Sequence, residues 1–179
     1  MAKERWKPSV TVAAVIEKDG RYLMIEEMTR DGLRLNNPAG GLEAGESILE
    51  GAIREALEET ACHFTPEALL GVYMARNPDT ARGPGVTYVR FAFCGSASDP
   101  VPGRALDSPI VRTLWMTADE IVAARDRLRG PLVLQCIEDH RAGRRLPLDA
   151  IHTHASVANP DPAQATAEPD DPPAGAAAP

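Results

Sequence analysis

Three glutamates, Glu55, Glu58 and Glu59, lie at i, i+3 and i+4 spacing within residues 38–62. Side chains at these spacings are neighbours on an α-helix, so the three carboxylates are predicted to lie within reach of one another. Like charges this close repel by about 0.2–0.5 kcal/mol per pair. A hard divalent cation removes that penalty, because Mg²⁺ prefers carboxylate oxygens and keeps waters and phosphates as its other ligands. The spacing therefore favours a metal site, although glutamates on a helix more often form a solvated face.

The carboxylates are predicted to lie on a helix over residues 47–61. Ser47 is a good N-cap, and Glu50 three residues later completes a capping box. Apolar residues recur at helical spacing and define a face that packs on a core, namely Ile48, Leu49, Ala52, Ile53, Ala56 and Leu57. Just before the helix, Ala39-Gly40-Gly41 permits a tight turn whose backbone carbonyls are free to face a cation.

The order of residues in this segment resembles the Nudix box, G-x5-E-x7-R-E-U-x-E-E-x-G-U, in which U is a bulky aliphatic residue. The matching positions are Gly40, Glu46, Arg54, Glu55, Glu58 and Glu59. Ala56 is smaller than the pattern requires, Ala61 replaces its last glycine, and Cys62 replaces its last aliphatic residue. Because alanine lacks the easy left-handed turn that glycine gives at a helix end, the exit of the helix is where a difference is expected.

The resemblance to Nudix hydrolases implies an α/β domain of the Nudix fold. Such a domain has a mixed sheet in an α-β-α layered arrangement, with the box as a loop-helix-loop. The interspersed strands and helices of this sequence favour the same layered class. The resemblance also implies hydrolysis of a phosphoanhydride bond in a small diphosphate, with Mg²⁺ or Mn²⁺ as the cofactor.

The same resemblance assigns roles to the box residues. The implied metal ligands are Glu55, Glu58 and Glu59, together with a backbone carbonyl of Ala39 or Gly40. Glu55 is alternatively the base that deprotonates the attacking water, and the catalytic group also includes Glu59 and Arg54, whose fork orients a carboxylate. For Glu46, a structural role is favoured over metal contact, because it can close the loop by accepting backbone N–H bonds near the helix N-terminus. Gly40 is also expected to be structural.

A narrower resemblance covers roughly residues 6–151. The segments WKPSVTVAAVI, YLMIEE, NNPAGGLEAGE and RGPLVLQCIEDHRAGRRLPLDAI are similar to those of NudJ-type phosphatases. That group acts on hydroxymethylpyrimidine diphosphate, thiamine diphosphate and nucleoside di- and triphosphates. It commonly has a tryptophan where this chain has Leu35, so the surface that stacks on a substrate ring is expected to differ.

Outside the box, three arginines are candidates for neutralising a substrate diphosphate, namely Arg76, Arg82 and Arg90. A solvated or surface-paired side chain is the more common interpretation for each of them. Asp107 and Glu27 are candidate carboxylates for a second cation or for the attacking water, although ordinary loop or strand-end acids are more common. Tyr73 and Tyr88 could stack on an aromatic ring, but core packing is favoured at strand positions.

The remaining pattern predicts one domain over residues 1–151 and a tail over residues 152–179. Strands are predicted at residues 10–16, 21–26, 33–37, 69–74, 86–94 and 111–116, with Asp19-Gly20 forming a hairpin turn. After the box, helices are predicted from the Thr117 capping box to about residue 127 and over residues 130–142. The tail has six prolines, four acids and no aromatic residue, so it cannot bury a core and is predicted to be disordered.

Net charge, hydrophobic runs and cysteine spacing limit the kinds of partner and compartment that are expected. The formal net charge of −7 argues against a nucleic-acid surface. The N-terminus lacks an apolar targeting segment, and no run approaches membrane-spanning length, so a cytoplasmic protein without a membrane partner is expected. Cys62, Cys94 and Cys136 have no metal-type spacing and are expected to be buried thiols of a reducing compartment. The protein is expected to be a monomer or a homodimer.

These observations favour a metal-dependent phosphohydrolase that releases phosphate from a small organic diphosphate. One alternative is a general hydrolase of nucleoside di- and triphosphates, including damaged nucleotides. Another, of a different class, is a Nudix-fold ligand-binding module without catalysis. Such modules often lose box glutamates and carry a DNA-binding domain, whereas here every charged box position is present.

Overall fold

The computed structural model describes residues 5–78 and 85–158. The strands in these ranges are β1 (Ser9–Lys18), β2 (Arg21–Thr29), β3 (Gly32–Asn36), β4 (Ala39–Gly41), β5 (Phe64–Asn77), β6 (Val86–Ala97) and β7 (Ile110–Thr117). The helices are α1 (Ile48–Thr60), α2 (Ala118–Ala123) and α3 (Pro131–Arg141). Strands and helices are interspersed as the sequence predicts.

The strands form a mixed sheet with the order β3-β2-β1-β6-β5, in which β4 also pairs with β1 and β7 with β2. The β1–β6 pair is parallel, and the pairs of β1 with β2 and of β5 with β6 are antiparallel. Strand β1 is therefore central, and it has β6 and the box strand β4 as hydrogen-bonded neighbours. This arrangement confirms the predicted mixed sheet.

Alternate residues of β1 pack into two different cores, one on each face of the sheet. Val12 and Ala14 lie in a core with Ala52 and Ala56 of α1. Ala13 and Val15, on the opposite face, lie in a core that includes side chains of α2 and α3, namely Ile121, Val133, Cys136 and Ile137. Because both faces of β1 are covered, its sequence is a continuous apolar run rather than an alternating one. The α-β-α layering is confirmed.

Turn and cap chemistry explains where several elements begin and end. Asp19 and Gly20 both have positive φ, 54° and 77°, and they join β1 to β2 as the sequence predicts. The Ser47–Glu50 capping box at the start of α1 has both of its hydrogen bonds. At the other end of α1, Ala61 adopts the left-handed conformation at φ 58° although it carries a side chain. The missing glycine of the box therefore leaves the shape of the helix exit unchanged.

The predicted single helix from Thr117 to about residue 127 is wrong. The Thr117–Glu120 capping box is present, but α2 ends at Ala123 and a 3-10 turn follows at Arg125–Arg127. The turn lets the chain approach β3, where Leu128 makes an isolated bridge with Leu35. Strand β5 is also longer than the predicted 69–74, because it pairs with β6 from Phe64 to Asn77.

Three further predictions concern the cysteines, membrane-spanning segments and the C-terminal tail. The predicted thiols Cys62, Cys94 and Cys136 are all buried and unpaired. None of the described helices is long and apolar enough to cross a membrane. In the predicted tail, exposed residues Ala155–Ala158 form a 3-10 turn. The tail from residue 159 onward lies outside the described residues, and its disorder stays a prediction.

Candidate active site

Arg54 on α1 links the loop before the helix to the helix carboxylates. Its Nε and Nη2 donate to the two carboxylate oxygens of Glu46 at 2.9 and 2.8 Å. Its Nη1 donates to Glu55 at 2.8 Å and to Glu58 at 3.0 Å, and its Nη2 also reaches the carbonyl oxygen of Gly41 at 2.9 Å. A planar guanidinium offers five N–H donors in a fixed fork, so a lysine could not replace this set of contacts.

Glu46 links the loop before α1 to Arg54. Its Oε1 accepts the backbone N–H of Glu43 at 2.8 Å, while both of its oxygens bind Arg54. A Cβ atom added to Gly51 would lie 2.8 Å from Glu46 Oε1, so the glycine at this position leaves room for the Glu46 carboxylate. These contacts are the kind expected of a residue that orders the loop.

On the helix, Glu55 is buried and Glu59 is half-buried. Glu59 Oε2 accepts the backbone N–H of Ala39 at 2.7 Å, which ties α1 to strand β4. Burial raises the pKa of Glu59 to about 9, against the effect of the Ala39 N–H, and the nearby charges of Glu55 and Glu27 add to the rise. Burial likewise raises the pKa of Glu55 to about 7, although Arg54 opposes the change. Both groups therefore favour the protonated form more than a free glutamate does.

Gly40 gives Glu55 its position. A Cβ atom at residue 40 would lie 2.2 Å from Glu55 Oε1, whereas a Cβ at the neighbouring Gly41 would meet nothing within 4 Å. The carboxylate of Glu55 thus packs directly against the backbone of β4. Only a residue without a side chain at position 40 allows this contact.

The donor set suits a hard divalent cation. The α1 carboxylates supply oxygen ligands of the type that Mg²⁺ and Mn²⁺ prefer, and the glycine at position 40 leaves Glu55 against the β4 backbone. In the described ranges, no three Asp, Glu, His or Cys side chains are gathered as metal ligands. Arg54 instead bridges Glu55 and Glu58, while Glu59 binds the Ala39 N–H. The metal role of these residues and of the Ala39 and Gly40 carbonyls therefore stays a prediction.

A second wall of the site is formed by Glu27 and Arg90, which lie within electrostatic reach of Glu59. Glu27 is buried and accepts a hydrogen bond from Asn36 Nδ2 at 3.2 Å. Arg90 lies beside Thr11 on the central parallel strand pair. Its buried Nε and Nη1 have no hydrogen-bond partner among the described residues, which ordinarily costs about 1–3 kcal/mol per group. Of the two candidate arginines in the described part of the chain, Arg90 is the one that the fold brings within electrostatic reach of Glu59.

The other candidates that the structure describes have different surroundings. Arg76 is exposed at the end of β5, three residues beyond the Tyr73 that faces Arg90, so strand alternation turns it to the opposite face. Arg82 falls outside the described residues. Tyr73 is buried and its hydroxyl donates to Asp139 at 2.9 Å, as expected for a core tyrosine. Asp107 is exposed, and its backbone N–H binds the Glu58 carbonyl at 3.0 Å.

Two features near the site were not anticipated from the sequence. Glu26 is almost fully buried and binds Arg112 Nε at 2.7 Å and Arg127. Arg129, just after the 3-10 turn, places its Nε 3.5 Å from Glu27 Oε1. One sequence feature indicated such contacts. Two adjacent acids, Glu26 and Glu27, lie at the end of an apolar strand, and buried acids need charged or hydrogen-bonding partners. Their arginine partners lie some 80 to 100 residues away in the chain, and no local pattern connects them.

Leu35, which stands where NudJ-type phosphatases commonly have tryptophan, is completely buried. It pairs with Glu26 in the sheet, and its carbonyl accepts the backbone N–H of Arg129 at 2.8 Å. Position 35 in this chain therefore packs in the interior and presents no ring surface.

Comparison with known proteins agrees with this architecture. The NUDIX domain model matches residues 5–135. The chain is 36% identical over 146 residues to "Phosphatase NudJ" of Escherichia coli K12, covering 82% of this chain and 92% of that protein. The NudJ of Shigella flexneri matches to the same extent.

Solved structures show the same fold. A NUDIX hydrolase from Nitrosomonas europaea superposes with a TM-score of 0.78 at 49% identity, covering 83% of this chain and 98% of that one. A bifunctional NMN adenylyltransferase/ADP ribose pyrophosphatase from Francisella tularensis, solved with AMP and a manganese ion, gives a TM-score of 0.54 at 22% identity. It covers 76% of this chain and 42% of that one, and shares the fold alone. The chain belongs to the Nudix hydrolase family, whose enzymes cleave phosphoanhydride bonds.

Proposed function

We propose that this Nudix hydrolase removes the terminal phosphate from small organic diphosphates such as hydroxymethylpyrimidine diphosphate and thiamine diphosphate, with Mg²⁺ or Mn²⁺ as its cofactor. The observation that carries the proposal is an Arg54-centred box, with Glu46, Glu55 and Glu58 bound to one guanidinium, in a chain 36% identical to a NudJ phosphatase. Cytoplasmic residence belongs to the same proposal, as does a monomer or homodimer without a nucleic-acid partner.

In this proposal the α1 carboxylates Glu55, Glu58 and Glu59 hold the cation, with a carbonyl of Ala39 or Gly40. The cation supplies the positive charge that lets water approach two anionic phosphates. Arg54 keeps Glu55 and Glu58 oriented toward the site, and Glu46 fixes Arg54 in turn.

As an alternative to its role as a metal ligand, Glu55 is proposed as the base. Its pKa of about 7 places it near the pH at which a general base is most effective. A water attacks the terminal phosphorus and gives its proton to Glu55. The bond between that phosphorus and the bridging oxygen breaks, and the products are orthophosphate and the organic monophosphate. Arg90 neutralises the substrate charge, and Arg82 stays a candidate for the same role by the sequence prediction.

The test is phosphate release with Mg²⁺ across a small panel of hydroxymethylpyrimidine diphosphate, thiamine diphosphate, nucleoside di- and triphosphates, NADH and ADP-ribose. An EDTA-treated sample is the control. Fast, EDTA-sensitive release of orthophosphate from the two thiamine-type compounds is the expected result.

Preference for nucleotides would retain the hydrolase chemistry and reject the thiamine-type substrates. Absence of hydrolysis from the whole panel, with thermal stabilisation by one of its compounds, would instead favour a binding module.

A further inference from the structure

Arg129 was not a candidate from the sequence, yet the fold brings its side chain to Glu27. Its backbone N–H donates to the Leu35 carbonyl at 2.8 Å, which fixes residue 129 against strand β3. Its side chain is about half exposed (45%) and its Nε lies 3.5 Å from Glu27 Oε1. This separation is longer than a normal hydrogen bond. The guanidinium therefore retains donors that can bind a ligand.

Arg90 is the second arginine of the proposed phosphate site. Arg90 is flanked by Thr11 on β1 and by Tyr73 on β5, but the Tyr73 hydroxyl is engaged by Asp139. Arg90 Nε and Nη1 and Thr11 Oγ1 are buried polar atoms without a hydrogen-bond partner among the described residues. Buried donors without partners are rare and usually mark an ion, a water or a ligand that completes them.

Burial lowers the pKa of Arg90, and the charge of Arg129 lowers it further, whereas Glu27 and Glu59 act in the opposite direction. Two arginines within electrostatic reach of each other, one of them with buried donors that lack a partner among the described residues, suit an added anion. Arginine forks match phosphate geometry, since two parallel N–H groups can bind two oxygens of one phosphate.

We infer that Arg129 and Arg90 together bind one phosphate group of the substrate, on the side of the site opposite the α1 carboxylates. Thr11 offers a hydroxyl to the same group. The inference rests on the proposed diphosphate hydrolysis and names the chain's own residues for the phosphate-binding half of the site. Arg129 is a substrate-binding residue in this scheme and takes no part in moving the proton.

The test is calorimetric binding of methylenediphosphonate, a diphosphate analogue with a P–C–P link that cannot be hydrolysed, in saturating Mg²⁺. Arg129→Gln should weaken the Kd at least tenfold, and Arg129→Lys, which keeps the charge but loses the fork, should weaken it by less. Arg125→Gln is the matched control, since Arg125 lies four residues away, is mostly exposed, and approaches only the exposed Asp126 at 4.0 Å. The control should bind the analogue within twofold of the wild type.

Steady-state kinetics supply the second readout. Arg129→Gln should raise KM tenfold or more with kcat changed only a few-fold, and its melting temperature should match that of the wild type. The inference is overturned if Arg129→Gln and Arg125→Gln bind the analogue equally, or if the wild type does not bind it. Selective weakening by Arg129→Gln in a protein that hydrolyses none of the panel would support the phosphate site and reject the proposed substrates. Hydrolysis of the panel with an unchanged KM in Arg129→Gln would support the proposed substrates and reject the phosphate site at Arg129.

Discussion

At the scale of single residues, the site contains charged groups whose removal from water is unfavourable unless a ligand compensates them. Glu55 is buried and Glu59 half-buried, and both have raised pKa values; the half-buried Arg90 has two buried donor atoms without a partner among the described residues. Buried charges are retained only where a partner or a ligand compensates them. A divalent cation on one side and a phosphate on the other would compensate both sets. The residue-level features of this protein therefore point to the same ligand, a metal-bound diphosphate.

Glu59→Gln should reduce turnover at least about a hundredfold, the scale expected when a charge-stabilising group is lost. The fold should persist, because the amide oxygen can still accept the Ala39 N–H. Phosphate release at saturating Mg²⁺, with circular dichroism for the fold, measures both. Glu138→Gln, the same change on an exposed helix position, is the control and should leave the rate unchanged. Near-normal turnover of Glu59→Gln would reject Glu59 as a metal ligand.

Gly40→Ala should lower turnover about tenfold to a hundredfold, since small displacements of catalytic groups have effects of that size. The new Cβ would lie 2.2 Å from Glu55 Oε1, so the carboxylate has to move. Stability should change little, because the displaced atoms are the end of a side chain. Gly41→Ala is the matched control, with nothing within 4 Å of its Cβ. Equal rates for the two variants would show that the position of Glu55 is not critical.

At the scale of elements, the site is assembled by pieces that meet at one end of the sheet. Helix α1 contributes the box carboxylates, β4 the Ala39 N–H, β2 the acids and β6 the arginine. Glu26 holds β2 to β7 through Arg112 and to the 3-10 turn through Arg127. That buried carboxylate positions the turn from which Arg129 follows. The contact between elements, and not any single element, places the phosphate side of the site.

Glu26→Gln should destabilise the protein by about 1–3 kcal/mol at pH 7, the range for losing charge-assisted hydrogen bonds of a buried group. The hydrogen bond from Arg112 lowers the pKa of Glu26, against the effect of burial, and Arg127 lowers it further. A carboxyl with a lowered pKa in the folded state contributes stability above its unfolded pKa of about 4.5 and loses it as the pH falls.

The difference in melting temperature between wild type and Glu26→Gln should therefore shrink as the pH is lowered from 5 toward 3, as followed by thermal melts. A difference that is the same at every pH in this window would contradict the ionised Glu26 network.

At the scale of the whole molecule, the chain divides into a folded domain and a terminal segment of different composition. All strands and α-helices described here lie before residue 142. Beyond them, the chain still packs Leu148 and Ile151 against the α1 core, and Leu146 pairs with Leu69. Packing against the core therefore reaches Ile151, and a domain boundary at residue 151 stays a prediction.

Deletion of residues 155–179 should change neither the melting temperature nor the rate of hydrolysis, because residues 155–158 are exposed and the rest of the segment has no apolar side chains other than those of alanine and proline. Melting curves and steady-state rates of the full-length and shortened proteins provide the comparison. A clear loss in either measurement would mean that the tail is part of the functional domain.

The sequence by itself determined the features that depend on neighbours along the chain. The helix with its Ser47–Glu50 capping box, the Asp19-Gly20 turn and the layered fold class follow from local spacing, because caps, turns and periodicity act over a few residues. The box carboxylates were also identifiable, since i, i+3 and i+4 spacing places them together on any helix.

Only the tertiary structure decided what depends on residues distant in the chain. It brought Glu27 and Arg90 within electrostatic reach of Glu59, brought Arg129 to Glu27, and turned Arg76 to the opposite face of the sheet. It also ended α2 early, so that Leu128 could reach Leu35. These outcomes depend on sheet register and on packing across the two cores, which no local pattern specifies. For this reason the catalytic box was visible in the sequence, whereas the second wall of the site was not.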